Sequence, residues 1–358
     1  GALVLSACAA PAEDDAALDV LSSPATDAAA RGDDGAALAE GPREDVPSAL
    51  VDPAADGLPE PLVNVSRILS GGPPPDGIPP VDEPRFDTVE EVDWLAANEP
   101  VLALSLGGEH RAYPVQIMMW HEIVNDEVAG VPVAVTFCPL CNSALVFDRR
   151  LTGPDGEDRL VSFGTSGKLY NSDLLMYDRQ TESLWSQLIG LGVAGVLTGV
   201  ELDRYPVQTV AFSEWAEAHP DGLVLNRITG EVRDYGSNPY QRYDDESREP
   251  FLFDGDTDDR LAPKRRVVGV ATRDGAHAVA IDHALLADDG VVPLTLDDQD
   301  LVAVMASSAA SALDSGAIAA GRPGGSTGVL VPVLVGMRLS LQVEDGQLGA
   351  AETGTTWA

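Results

Sequence analysis

An α+β, β-rich fold is predicted: two weakly similar tandem β-rich repeats with a few short helices, preceded by a disordered stalk. Three observations lead there. Strand-like segments follow one another from Val131 to Leu188, separated by Gly, Asp and Asn turns, with little helical periodicity between them. Short blocks of the first half recur in the second in the same order. Phe86 is the first aromatic residue, so the chain before it offers little to build a core from.

The amino terminus, residues 1–8, reads Gly1-Ala-Leu-Val-Leu-Ser-Ala-Cys8, an apolar run ending in small residues before a cysteine. This resembles a bacterial lipobox, and the resemblance implies cleavage before Cys8 with lipid carried on its sulfur. The mature chain is then expected to be extracytoplasmic, at the cell surface or in a periplasm, with the membrane as a partner through that lipid. Residues 9–59 are rich in Ala, Asp, Glu, Pro and Gly, and are expected to form a disordered acidic linker. Residues 60–262 are expected to form the main domain, and 263–358 a degenerate second repeat.

Within the main domain, Thr88-Val-Glu-Glu91 has the pattern of a capping box opening a helix through Trp94 and Leu95. Val101 to Leu106 is expected as a strand, Gly107-Gly108 as a turn, and Pro114 to Val124 as a helix with proline in its first turn. Strands are then expected at 131–137, 144–149, 160–163, 174–177 and 183–188. A helix is expected over Thr209 to His219, with Phe212, Trp215, Ala216 and His219 on its core face.

The repeat aligns Cys138-Pro-Leu-Cys-Asn-Ser-Ala-Leu145 with Ala306-Ser-Ser-Ala-Ala-Ser-Ala-Leu313, and Thr181-Glu-Ser-Leu-Trp185 with Thr353-Gly-Thr-Thr-Trp357. Alanine stands at both cysteine positions of the second copy. The first copy is therefore expected to carry the chemistry and the second to be its structural partner, and the recurring tryptophan reads as core.

The chain of 358 residues has 58 acidic against 22 basic residues, a formal net charge of -36. A field of that sign repels polyanions, which argues against nucleic acid as a partner. No apolar run after the first residues is long enough to span a bilayer. A nucleophile elbow, a phosphate loop, a dinucleotide fingerprint, a zinc-protease motif and a haem-attachment motif are all missing, so no cofactor is assigned.

The distinctive stretch lies between Tyr113 and Gln187. It contains Tyr113-Pro, Trp120-His-Glu122, Asn125-Asp126, Thr136-Phe-Cys-Pro-Leu-Cys-Asn-Ser143, Phe163-Gly-Thr-Ser-Gly167, Leu169-Tyr-Asn-Ser-Asp173, Met176-Tyr-Asp-Arg179 and Leu184-Trp-Ser-Gln187. This constellation resembles the domain of unknown function 3179 family of bacteria and archaea, well over roughly residues 60 to 260 and loosely over the remainder. Membership implies no established reaction. That some relatives are described as selenoproteins points toward redox chemistry without assigning a role to either cysteine.

Two cysteines separated by two residues can close a small disulfide or share a soft metal. A strand-like segment after the pair disfavours a thioredoxin arrangement, which sets the pair at a helix start to lower its thiol pKa. His121 is the candidate base or thiolate-stabilising neighbour, with Met118, His121 and Asn125 on one helix face and Glu122 orienting the ring. Glu122, Asn125, Asn142, Ser143, Tyr170, Asn171 and Asp173 are the candidate pocket-lining residues, while Ser166 reads as turn chemistry. Three readings follow. Cys138 and Cys141 cycle as a thiol-disulfide pair with His121 assisting and an unidentified redox partner; or they staple a ligand-binding domain; or, with His121 and one more group, they bind a metal.

Overall fold

In the computed structural model, residues 2–4, 46–272, 276–306, 309–344 and 347–357 are described. The lipid-attachment candidate Cys8 and residues 9–45 of the expected linker lie outside them. Ala2–Val4 pairs antiparallel with Val267–Thr272. Residues 46–59, expected as linker, belong to the fold: Ala49 is fully buried, and the Leu50 N–H donates to Glu182 O at 3.1 Å.

Pro100–Leu106 (β1) and Glu109–Pro114 (β2) form an antiparallel hairpin that runs directly into helix α1, Val115–His121. The helix expected to reach Val124 stops at His121. Glu122 adopts a left-handed φ of 59°, and its N–H closes the last turn on Met118 O at 2.8 Å. The β-branched pair Ile123-Val124 then opens a strand, Ile123–Val128 (β3), that pairs with Val131–Cys138 (β4). The helix expected after Thr88 is absent. Thr88 and Glu91 do form a box, with Glu91 Oε2 accepting from the Thr88 N–H and hydroxyl at 2.9 Å each, but only a 3-10 turn, Val89–Glu91, follows before Val92 returns to extended backbone.

Ser143–Asp148 (β5) completes a sheet ordered Arg204–Tyr205, β5, β4, β3. Alternation along β4 divides its side chains between two cores. Val133, Val135 and Phe137 join the cluster holding Leu102, Tyr113, Ile117 and Met118, whereas Ala134 and Cys138 face a second cluster with Leu145, Phe147, Phe163, Met176 and Trp185. The second cluster lies against an antiparallel meander of Phe163–Tyr170 (β6), Asp173–Asp178 (β7) and Leu184–Ser186 (β8). Burying a side chain of that size contributes roughly 2–3 kcal/mol, so the strand carrying Cys138 is held firmly from both faces.

The helix expected from Thr209 divides in two. Gln208–Ala211 is an edge strand on β1, and α2 occupies Phe212–Ala218, with Phe212 and Trp215 buried as expected.

The second copy repeats this order: Val267–Thr272 (β9), Ala278–Asp282 (β10), α3 (His283–Asp289), Val291–Leu296 (β11), Gln299–Ala306 (β12) and Ser326–Leu330 (β13). Each of three elements starts 168 positions after its counterpart: 115 to 283, 123 to 291 and 131 to 299. A final meander of Leu341–Glu344, Gln347–Ala350 and Thr356–Trp357 mirrors β6, β7 and β8. The tandem β-rich repeat is thus present in the fold. The segment after β12 serves packing, since Ala312, Leu313 and Ile318 are buried in the first copy's core.

Candidate functional site

Cys138 ends β4 and pairs with Ser143, which opens β5, so Pro139-Leu-Cys-Asn142 is the tip of a tight hairpin. Within it the Cys141 N–H donates to Cys138 O at 3.2 Å and the Asn142 N–H to Pro139 O at 3.3 Å, while Asn142 takes a left-handed φ of 49°. This doubling-back brings the sulfurs together. They are two free thiols with Sγ atoms 3.0 Å apart, Cys138 1% exposed and Cys141 part-buried. A strand follows the pair, as the sequence implied, so no helix dipole lowers either thiol.

A second turn meets the first. β6 and β7 are joined by Asn171-Ser172, both left-handed (φ 51° and 67°), as a two-residue hairpin turn requires. It aims Ser172 O and Asp173 Oδ1 at Cys141 Sγ, 3.7 Å from each. The other Asp173 oxygen accepts from Ser186 Oγ at 2.5 Å, and the Leu188 N–H reaches Oδ1 at 3.3 Å. Burial pushes the Asp173 carboxyl up to about 6, against these hydrogen bonds. Contact with Cys138, then burial and the Asp173 charge, hold Cys141 well above the ordinary thiol range.

The hairpin base is pinned by a glutamine. Gln187 is fully buried, its Nε2 donating to Thr136 Oγ1 at 2.9 Å and its Oε1 accepting from Ser143 Oγ at 3.2 Å. Ser143 therefore supports the site, while Asn142 is exposed at its tip. Asn171 accepts from Arg67 Nη2 at 2.7 Å, and Arg67 lies over the Tyr170 ring at 5.5 Å, so Arg67 engages both residues at this end of the hairpin. Ser166 accepts from the Lys168 N–H at 3.0 Å and donates to Leu175 O, the turn role expected of it.

Neither ring nitrogen of His121, the expected assisting base, is bonded to the pair. Its Nδ1 contacts Pro79 O and its Nε2 the Tyr235 hydroxyl, each at 2.6 Å, and burial lowers its pKa. Because α1 ends at His121, the expected face shared with Asn125 does not exist. Asn125 instead lies on β3, holding Asp82 and the backbone of Phe163. Glu122, expected to orient that ring, instead accepts from Tyr240 OH at 3.0 Å; burial drives its carboxyl up to about 7.

The sequence reading missed Ser186, Gln187, Tyr240 and Tyr243. The first two stand in the Leu184-Trp-Ser-Gln187 motif, which could have announced them. The tyrosines lie in a segment without regular structure, yet burial and the cysteine charges raise the Tyr243 pKa, and its hydroxyl accepts the Phe251 N–H at 3.0 Å. Among the described residues, Cys138, Cys141 and Asp173 are the one group of three or more Cys, His, Asp or Glu donors gathered within 4.8 Å. A closed structural zinc site uses four such donors, and the histidine expected to add one is engaged elsewhere.

Residues 75–358 match the family described as Protein of unknown function (DUF3179), and the chain belongs to it. No curated protein and no solved structure matches.

Proposed function

We propose that this member of the DUF3179 family is an extracytoplasmic thiol-disulfide redox protein, tethered to a membrane by lipid on Cys8, in which Cys138 and Cys141 cycle between dithiol and disulfide. The observation that carries the reading is the 3.0 Å approach of two free sulfurs, one of them part-exposed and in contact with a buried carboxylate. A bond of about 2.05 Å needs little further motion. Asp173 takes the place His121 was expected to fill.

Cys141 is the entry thiol because Cys138 is shielded. Its proton passes to Asp173, and the thiolate attacks a partner disulfide R–S–S–R′. The partner S–S bond breaks, R′S⁻ leaves and takes up a proton, and Cys141 is left in a mixed disulfide with R. Cys138, once deprotonated, attacks Cys141 Sγ; the Cys138–Cys141 bond forms and RS⁻ leaves. Two electrons have moved to the partner. The reverse sequence oxidises a partner dithiol.

The test is trapping with glutathione disulfide. Cys138→Ser accumulates a mixed disulfide on Cys141, whereas Cys141→Ser reacts at least about tenfold more slowly. Equal reactivity of the two variants would remove the assignment of entry and resolving thiol. A pair inert in both oxidation states would mark a structural staple and remove the redox reading altogether.

A further inference from the structure

Disulfide exchange obliges a partner sulfur to reach Cys141, so whatever stands around that thiol is what the partner meets. Three segments frame it. The β4–β5 loop carries Leu140 next to Cys141 itself. The turn after β8 brings the Leu188 N–H to Asp173 Oδ1 at 3.3 Å, and Ile189 is the next residue. The third segment belongs to the connection between the repeats, residues 226–266, which carries no helix and no strand. Its Phe251 is anchored on the left-handed turn that touches the thiol: Ser172 O lies 3.7 Å from Cys141 Sγ, and the Ser172 hydroxyl donates to Phe251 O. The Tyr243 hydroxyl accepts the Phe251 N–H at 3.0 Å, and Arg67 ties Asp254 to Asn171 at 3.0 and 2.7 Å. Long connections without regular structure are uncommon in compact folds and usually functional. This one is fastened to the turn that contacts the entry thiol.

Each of the three segments brings an apolar residue that keeps contact with water. Ile189 is 43% exposed and Phe251 47%, while Leu140 and Leu188 are half-buried. A single exposed apolar residue needs no explanation, but four of them, each within one residue of an atom that touches Cys141, Asp173 or Ser172, form a rim around one reactive sulfur. Charge points the same way. Among the described residues the partners of Asp173 are Ser186, Leu188 and Cys141, none of them a cation. Arg67, the cation at this turn, is engaged by Asp254 and Asn171. With a net charge of -36 the chain repels an anionic disulfide.

From this juxtaposition we infer that the partner of Cys141 is a polypeptide cystine flanked by apolar side chains, recognised by Leu140, Leu188, Ile189 and Phe251, rather than a small anionic disulfide. The inference rests on the redox reading and names its substrate class. A polypeptide carries neighbours on both sides of its sulfur, which suits a rim contributed by separate segments. Phe251 is fixed through both its N–H and its C=O, so this part of the rim is in place before the partner arrives.

The experiment is reaction of the reduced Cys8→Ser chain with three disulfides, followed by acid quench and mass spectrometry. The probes are oxidised glutathione and the symmetric disulfides of the uncharged peptides Ac-Leu-Cys-Phe-NH2 and Ac-Ser-Cys-Ser-NH2. Each turnover converts the chain dithiol and R–S–S–R into the chain disulfide and two R–SH, so atoms and electrons balance. The Leu/Phe peptide should react at least about tenfold faster than the Ser peptide, and glutathione more slowly than either, its deficit shrinking as salt is added. Phe251→Ser combined with Ile189→Ser should remove the Leu/Phe advantage while leaving the rate of the Ser peptide within about twofold, because the bonds that hold Phe251 run through its backbone. Equal rates for the two peptides in the parent, glutathione reacting fastest, or an advantage that survives both substitutions would overturn the inference and leave the redox reading standing. No reaction of the parent with any of the three would overturn both.

Discussion

Cys141 and Asp173 meet across two hairpins: the left-handed turn at Asn171-Ser172 delivers the carboxylate to within 3.7 Å of a sulfur carried by the tip of the β4–β5 loop. Neither turn makes the site alone. Asp173→Asn keeps the shape and the contact with Ser186 but removes the proton acceptor. If the acceptor role dominates, Cys141 alkylation by iodoacetamide at pH 7 falls about tenfold or more; a faster reaction would show that the Asp173 charge, which holds the Cys141 thiol up, acts only against the thiolate. A rate unchanged within twofold would take Asp173 out of the chemistry.

Glu122 makes stability depend on pH in a defined direction. A carboxyl whose folded pKa, about 7, lies above its ordinary 4.5 favours the protonated form in the folded state. Its contribution is fully present below about pH 4.5 and is lost as pH rises through 7. The shift corresponds to roughly 3 kcal/mol at most. Glu122→Gln should therefore match the parent in urea unfolding at pH 4.5 and gain on it at pH 8. Equal pH slopes in the two proteins would contradict the buried, uncompensated charge.

Gly167 belongs to the Phe-Gly-Thr-Ser-Gly motif for a structural reason. Its φ is 70°, and a Cβ there would stand 1.9 Å from Pro73 O, at the irregularity in β6 between Thr165 and Lys168. Gly167→Ala should lower stability by about 2–4 kcal/mol, measured by chemical denaturation. A loss under about 0.5 kcal/mol would mean that the Pro73 backbone moves freely.

Trp185 bonds Asp178 through Nε1 at 2.9 Å and sets its ring edge-on to Phe163. Trp185→Ala should cost about 3–5 kcal/mol in unfolding free energy. A cost below about 1 kcal/mol would show that this core is not what holds the meander against β4.

How much of this was legible in the sequence follows from which interactions are local. The hairpin around Cys138, the strands on either side and the repeat with Ala306 are written in spacing and alternation, and Asp173 was singled out by its motif. Glu122 was not legible as a helix stop, because Trp120-His-Glu-Ile-Val124 continues a helical pattern and nothing in it marks a left-handed residue. That one conformation separates Asn125 from His121 and undoes the expected face. Tyr240 and Tyr243 reach the site from more than a hundred positions away from Glu122 and Cys138, through a segment with neither periodicity nor motif. Their role exists only once the chain is folded.

The central claim is tested most directly by the reduction potential of the Cys138–Cys141 pair in the Cys8→Ser chain, read by thiol trapping across glutathione buffers with metal content recorded. The account predicts a reversible two-electron couple between about -120 and -270 mV. A potential below about -300 mV, or thiols that stay reduced around stoichiometric metal, would contradict it.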